Sequence, residues 1–67
     1  GRRAYGAHRK MSVAQKALYT AESILSHYLP TQIPWAHVWY TYGLNENAEQ
    51  QARVRAEVAR LIATSAN

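Results

Sequence analysis

The stretch SVAQKALYTAESILSHYL, residues 12–29, carries the strongest helical pattern in this chain. Ser12 is followed three positions later by Gln15, which is the spacing of a capping box at a helix N-terminus. Apolar side chains then recur at the 3.6-residue period of an amphipathic helix. Pro30 predicts the end of this helix, because the residue before a proline is driven out of the helical region.

A helical wheel of residues 12–29 separates two faces. The face expected to be buried holds Val13, Ala14, Ala17, Leu18, Ala21, Ile24, Leu25, Tyr28 and Leu29. The face expected to meet solvent holds Gln15, Lys16, Tyr19, Thr20, Ser23, Ser26 and His27. So regular a partition predicts that the helix packs against the rest of the chain through one side.

Residues 33–42 carry two competing patterns. As a helix, they place Pro34 in the first turn, where its missing N–H costs nothing, and Gly43 supplies a left-handed C-cap. As a strand, the run 38–42 has high β propensity, but no second strand-like run exists for it to pair with. We therefore favour a short helix. Its apolar stripe is Trp35, Val38, Trp39 and Tyr42.

A third helix is predicted over residues 46–64, with Asn45 or Asn47 as its N-cap. Opposite charges at helical spacing run along one edge, namely Glu49, Arg53, Glu57 and Arg60, and each pair contributes only about 0.2–0.5 kcal/mol. The stripe expected to be buried is Val54, Val58, Leu61 and Ile62. Small residues flank it and would let another helix approach closely, so a homodimer through this edge is a further expectation. These residues are Ala48, Ala52, Ala59 and Ala63.

Helices over about residues 12–29, 33–42 and 46–64 predict an all-α fold, a small three-helix bundle. Residues 11–67 would form this single helical domain. Residues 1–10 are predicted to be a basic, flexible arm. A second interpretation of residues 1–10 stays open, in which they precede a native start at Met11, the only methionine of the chain.

The net charge of +4 lies entirely in residues 1–10. That segment holds four cations and no acid, whereas four cations and four glutamates cancel in the rest of the chain. A basic arm suits contacts to nucleic-acid phosphates, and Tyr5 is available to stack on a base. Arginines of the third helix would provide a second row of contacts. The residues predicted to bind nucleic acid are Arg2, Arg3, Tyr5, Arg9, Lys10, Arg53, Arg55 and Arg60.

A neutral helical body also fits a different function, a protein-interaction module such as a small subunit, an adaptor or a modulator of a larger enzyme or assembly. Tyr19 and Tyr40 fall on polar faces, and exposed tyrosines are typical of binding hot spots. Gln51 and Arg55 fall on the apolar side of the third helix. Arg55 has a second interpretation, in which its stem packs along the core edge and its charge reaches solvent. The residues predicted to contact a protein partner are Tyr19, Tyr40, Gln51 and Arg55.

The sequence lacks the residue patterns that are typical of catalytic and metal-binding sites. The chain has no cysteine, and its three histidines follow no metal-ligand spacing. Its three glycines cannot form a phosphate-binding loop. We also expect too little room in so small a bundle for a ligand pocket of about 300 Å³. The sequence therefore predicts a non-enzymatic protein without a metal or cofactor.

No apolar run approaches the roughly 20 residues of a membrane span, and no secretory signal is recognisable. We therefore expect a cytoplasmic protein without a membrane partner.

Overall fold

The computed structural model describes residues 11–65, which form three helices. Helix α1 spans Val13–His27, α2 spans Trp35–Thr41 and α3 spans Ala48–Ser65. No strand occurs within residues 11–65, so the helical alternative for residues 33–42 is correct. The prediction of an all-α three-helix bundle is thereby confirmed, with each helix boundary within two residues of its predicted place. The predicted flexible arm, residues 1–10, lies outside the described residues.

The N-terminus of α1 is closed by the predicted capping box. The Gln15 backbone N–H donates to Ser12 Oγ at 3.0 Å, and the Ser12 backbone N–H donates to Gln15 Oε1 at 3.3 Å. The helix ends at His27, and Tyr28 is already extended. Leu29, which was expected on the buried face, is instead 63% exposed. The helix that would have directed its side chain to the core has ended before it.

Three further residues of α1 fall on the opposite side of the predicted partition, while Leu18, Ser23 and Leu25 are half-buried. Val13 and Ala14 were expected to be buried but are exposed, because they lie in the first turn, beyond the reach of the core. Thr20 was expected to be exposed but is only 9% exposed. Thr20 follows Ala17 by three residues and precedes Ile24 by four, so it shares their face of the helix despite its hydroxyl.

Helix α2 is bounded by the two residues that were predicted to bound it. Pro34 is the N-cap, one place ahead of the first-turn position expected for it. Gly43 has a φ of +71°, the left-handed conformation that favours glycine. The Leu44 N–H then donates to Trp39 O at 2.6 Å, which closes the C-terminal end of the helix.

One core joins the three helices. Helices α1 and α3 make the principal helix–helix contact, and α2 adds Val38 and Trp39 to the same cluster. The buried apolar residues are Ala17, Ala21, Ile24, Val38, Trp39, Val54 and Val58. Leu61 and Ile62, expected to be buried, are only partly so. They lie near the C-terminal end of α3.

The N-terminal ends of α1 and α3 lie side by side. Gln50, in the first turn of α3, donates through Nε2 to the backbone oxygen of Val13 at 3.2 Å. This side chain is only 9% exposed. The positive ends of two helix dipoles therefore meet at the same end of the bundle.

Asn47→Ala is expected to lower the free energy of unfolding by about 1 kcal/mol. Of the two candidate caps, only Asn47 accepts a hydrogen bond at the start of α3, from the Gln50 N–H to its Oδ1 at 3.1 Å. Asn45→Ala is the matched control, for which we expect a change within about 0.5 kcal/mol. Urea unfolding followed by circular dichroism measures both. Equal losses at the two positions would contradict the assignment of Asn47 as the cap.

Candidate functional site

Five of the eight residues predicted to contact nucleic acid lie outside the described residues. These are Arg2, Arg3, Tyr5, Arg9 and Lys10. The other three lie on the exposed surface of α3, where Arg53 Nη2 is 3.3 Å from Glu49 Oε2 and Arg60 Nη2 is 2.7 Å from Glu57 Oε1. A phosphate that approached Arg53 or Arg60 would therefore have to compete with a carboxylate on the same helix.

Arg55, the third cation of α3, lies against an aromatic ring. Its Cζ is 4.5 Å from the centroid of the Trp35 ring. Trp35 in turn stacks on Trp39, with centroids 5.0 Å apart and an interplanar angle of 30°. Arg55 is exposed, Trp35 is half-buried and Trp39 is buried. The three side chains, named here the Arg55 stack, form a layered contact from solvent into the core, and an exposed cation–π contact contributes about 0.5–1 kcal/mol.

The sequence indicated an arginine on the apolar side of α3 but not its aromatic partner. Trp35 and Arg55 lie on different helices, 20 positions apart. The contact between these two side chains depends on how α2 packs across α3. The helical periodicity of one segment contains no information about that packing. The one available signal was that both side chains fall on the apolar arcs of their own helices.

The remaining residues predicted to contact a protein lie apart on the three helices. Gln51 is half-buried, and its Nε2 donates to Leu44 O at 2.6 Å, so this amide fastens α3 to the turn after α2. Tyr19 on α1 is 61% exposed and Tyr40 on α2 is 75% exposed. The structure thus joins Arg55 to Trp35. Tyr19 is exposed on α1, and Tyr40 is exposed on α2, the helix that also carries Trp35.

A groove with a volume of about 310 Å³ opens where the N-terminal ends of α1 and α3 meet the turn after α2. Its lining residues are Met11, Val13, Lys16, Tyr19, Thr20, Tyr42, Leu44, Asn47 and Gln50. The expectation that the bundle has no room for a cavity of this size is wrong. Helix α2 has only seven residues and is about 10 Å long, so it cannot cover the whole length of the two longer helices.

The other polar contacts include one between helices and a local cluster around His27. Ser23 Oγ and the Tyr42 hydroxyl share a hydrogen bond of 2.5 Å that links α1 to the end of α2. His27 Nδ1 lies 2.9 Å from Ser23 O and 3.2 Å from Ser26 Oγ. No set of three histidine or acidic side chains within residues 11–65 is placed to hold a metal ion. In the same part of the chain, no helix has the length and apolar character needed to cross a bilayer.

No protein-family model matches this chain, and no significantly similar curated protein or solved structure was found.

Proposed function

We propose that this protein is a small non-enzymatic nucleic-acid-binding or regulatory protein that contacts the phosphate backbone through residues 1–10. The observation that carries the proposal is the segregation of charge. The whole net charge of +4 falls within ten residues, and the remaining residues sum to zero. Clustered cations attract a polyanion without a base-specific site, because phosphate contacts release condensed counterions.

The point of attachment of the basic segment supports this proposal. Lys10 is followed directly by Met11, which lines the groove at the N-terminal ends of α1 and α3. The partial positive charges of two helix N-termini therefore lie where the basic segment joins the body. Ten residues span at most about 36 Å, so all four cations remain within that distance of this end. The acidic side chain in the first turn of α3, Glu49, lies 3.3 Å from Arg53, which offsets its charge. Phosphates drawn to the segment would then meet the positive potential of the two helix N-termini.

Binding of a fluorescently labelled duplex and a labelled single strand tests this function. We compare the full chain at low salt with a full-length variant in which the four cations become glutamine. These substitutions are Arg2→Gln, Arg3→Gln, Arg9→Gln and Lys10→Gln. We expect the variant to bind both probes at least about tenfold more weakly. Equal affinity of the two proteins would overturn the proposal.

A second candidate function, a protein-interaction module, is favoured by the Arg55 stack. Arginine, tryptophan and tyrosine are the residues that dominate binding hot spots. Tyr19 and Tyr40 add exposed aromatic surface on α1 and α2. A homodimer through the alanine edge of α3 stays a proposal within this class, and its residues are all exposed: Ala48, Ala52, Ala59 and Ala63.

The interaction function predicts that Tyr19→Ala, Tyr40→Ala and Arg55→Ala together weaken capture of the partner by at least about tenfold, since one hot-spot residue alone contributes upwards of 1 kcal/mol. The measurement compares how much of the partner the immobilised variant and the immobilised unsubstituted chain capture from an extract of the cells that produce this protein. The matched control carries three exposed substitutions outside the helices, Thr31→Ala, Gln32→Ala and Asn45→Ala. Undiminished capture by the first variant would count against the interaction function.

A further inference from the structure

Two side chains that line the groove between α1 and α3 each have an oxygen without a hydrogen-bond partner among residues 11–65. Thr20 and Gln50 both line it, and each is only 9% exposed. Gln50 donates through Nε2 to Val13 O, but its Oε1 accepts no hydrogen bond from residues 11–65. The Thr20 hydroxyl likewise forms no hydrogen bond within the described part of the chain.

These two oxygens are not among the fully buried, unpartnered atoms of residues 11–65. Every fully buried side-chain oxygen or nitrogen of residues 11–65 has a hydrogen-bond partner. Since the Thr20 hydroxyl and Gln50 Oε1 have none there, neither atom is fully sealed. Thr20 and Gln50 both line the groove, so a molecule bound there would lie beside these two side chains.

The charge of the groove favours an anion. Lys16 is the only charged side chain among the described residues that line it. Lys16 precedes Thr20 by one helical turn on the same face, which allows the ammonium and the hydroxyl to hold one carboxylate between them. The N-termini of α1, with 15 residues, and α3, with 18, add partial positive charge at this end. Glu49, in the first turn of α3, is not among the residues that line the groove and lies 3.3 Å from Arg53.

The rest of the lining is apolar or aromatic. Met11, Val13 and Leu44 supply aliphatic surface, and Tyr19 and Tyr42 supply rings. A volume of about 310 Å³ lies at the lower end of the range for small-molecule pockets. The groove is therefore sized for a compact organic molecule.

We infer that this groove binds a small amphipathic carboxylate. The carboxylate lies between Lys16 and Thr20, and a compact apolar or aromatic body packs against Tyr19, Tyr42 and Leu44. Gln50 Oε1 is placed to accept a hydrogen bond from a polar substituent of that body. The inference is independent of nucleic-acid binding, because none of these groups belongs to residues 1–10.

Titration of the ¹⁵N-labelled full chain with 3-phenylpropionate, followed by NMR, tests the inference. We expect saturable shifts of the backbone amide resonances of residues 13–20 and 47–50. The neutral analogue 3-phenylpropanamide should bind about tenfold more weakly, because it lacks the charge-assisted hydrogen bond. Inorganic phosphate, which lacks the apolar body, should also bind more weakly. Phosphate binding as tight as that of 3-phenylpropionate would overturn the proposed ligand class.

Two substitutions in the groove sharpen the test. Lys16→Gln should weaken 3-phenylpropionate binding about tenfold, and the nearly isosteric Thr20→Val about fivefold. The controls Arg55→Gln and Thr31→Val, away from the groove, should change the affinity less than about twofold.

Besides tight phosphate binding, three results would overturn the inference: no saturable shift up to about 10 mM ligand, equal affinity for the neutral amide, or unchanged binding in both groove variants. The variant with four glutamines in residues 1–10 separates this result from the proposed function. This variant should lose nucleic-acid binding but should still bind 3-phenylpropionate with unchanged affinity.

Discussion

Trp39→Ala is expected to leave most of the chain unfolded at room temperature. Trp39 is 9% exposed and belongs to the cluster that joins the three helices. Truncation of a buried tryptophan to alanine costs about 3–5 kcal/mol in lost burial and residual cavity. A single core in a chain of fewer than about 70–80 residues rarely supplies more than about 3–5 kcal/mol. The expected loss therefore equals the whole stability available to 67 residues without a disulfide.

The adjacent residue provides the control for this substitution. Tyr40 lies on the same helix and is also aromatic, but its side chain is 75% exposed. Tyr40→Ala should change the free energy of unfolding by no more than about 0.5 kcal/mol. Far-UV circular dichroism and urea titration of both variants decide the matter. A cooperative Trp39→Ala variant with an unchanged midpoint would contradict the packing of α2 on the other two helices.

The features that sequence alone predicted are those governed by local chemistry. Ser12 and Gln15 satisfy each other's backbone groups within one turn, so their spacing is sufficient to place the start of α1. Gly43 adopts a conformation that other residues avoid, and it marks the end of α2 for that reason. Neither inference requires knowledge of a distant contact.

The features that sequence missed depend on the spatial relation of helices. Thr20 looked exposed because it is polar, yet its place beside Ala17 and Ile24 buries it and leaves its hydroxyl in the groove. The groove itself follows from the shortness of α2 and from the alignment of the N-terminal ends of α1 and α3. Arg55 found an aromatic partner on another helix. Periodicity within a segment carries no information about these alignments.

The second large effect is expected in the salt dependence of nucleic-acid binding. If the four cations of residues 1–10 each neutralise one phosphate, the logarithm of the binding constant should fall with the logarithm of salt with a slope of about −3.6 on duplex DNA. On a single strand the slope should be about −2.8. Between about 50 and 200 mM salt, these slopes correspond to a loss of affinity of roughly 150-fold on duplex and roughly 50-fold on a single strand.

Replacement of the four cations by glutamine should bring both slopes close to zero. The control Arg53→Gln with Arg60→Gln should change either slope by less than about one unit, because Glu49 and Glu57 already neutralise these two guanidinium groups. A steep slope that persists in the four-glutamine variant would exclude residues 1–10 as the phosphate contact. If the slope approached zero in the Arg53→Gln, Arg60→Gln variant instead, phosphate would have to displace Glu49 and Glu57 from these arginines. The phosphate contact would then lie on the helical body.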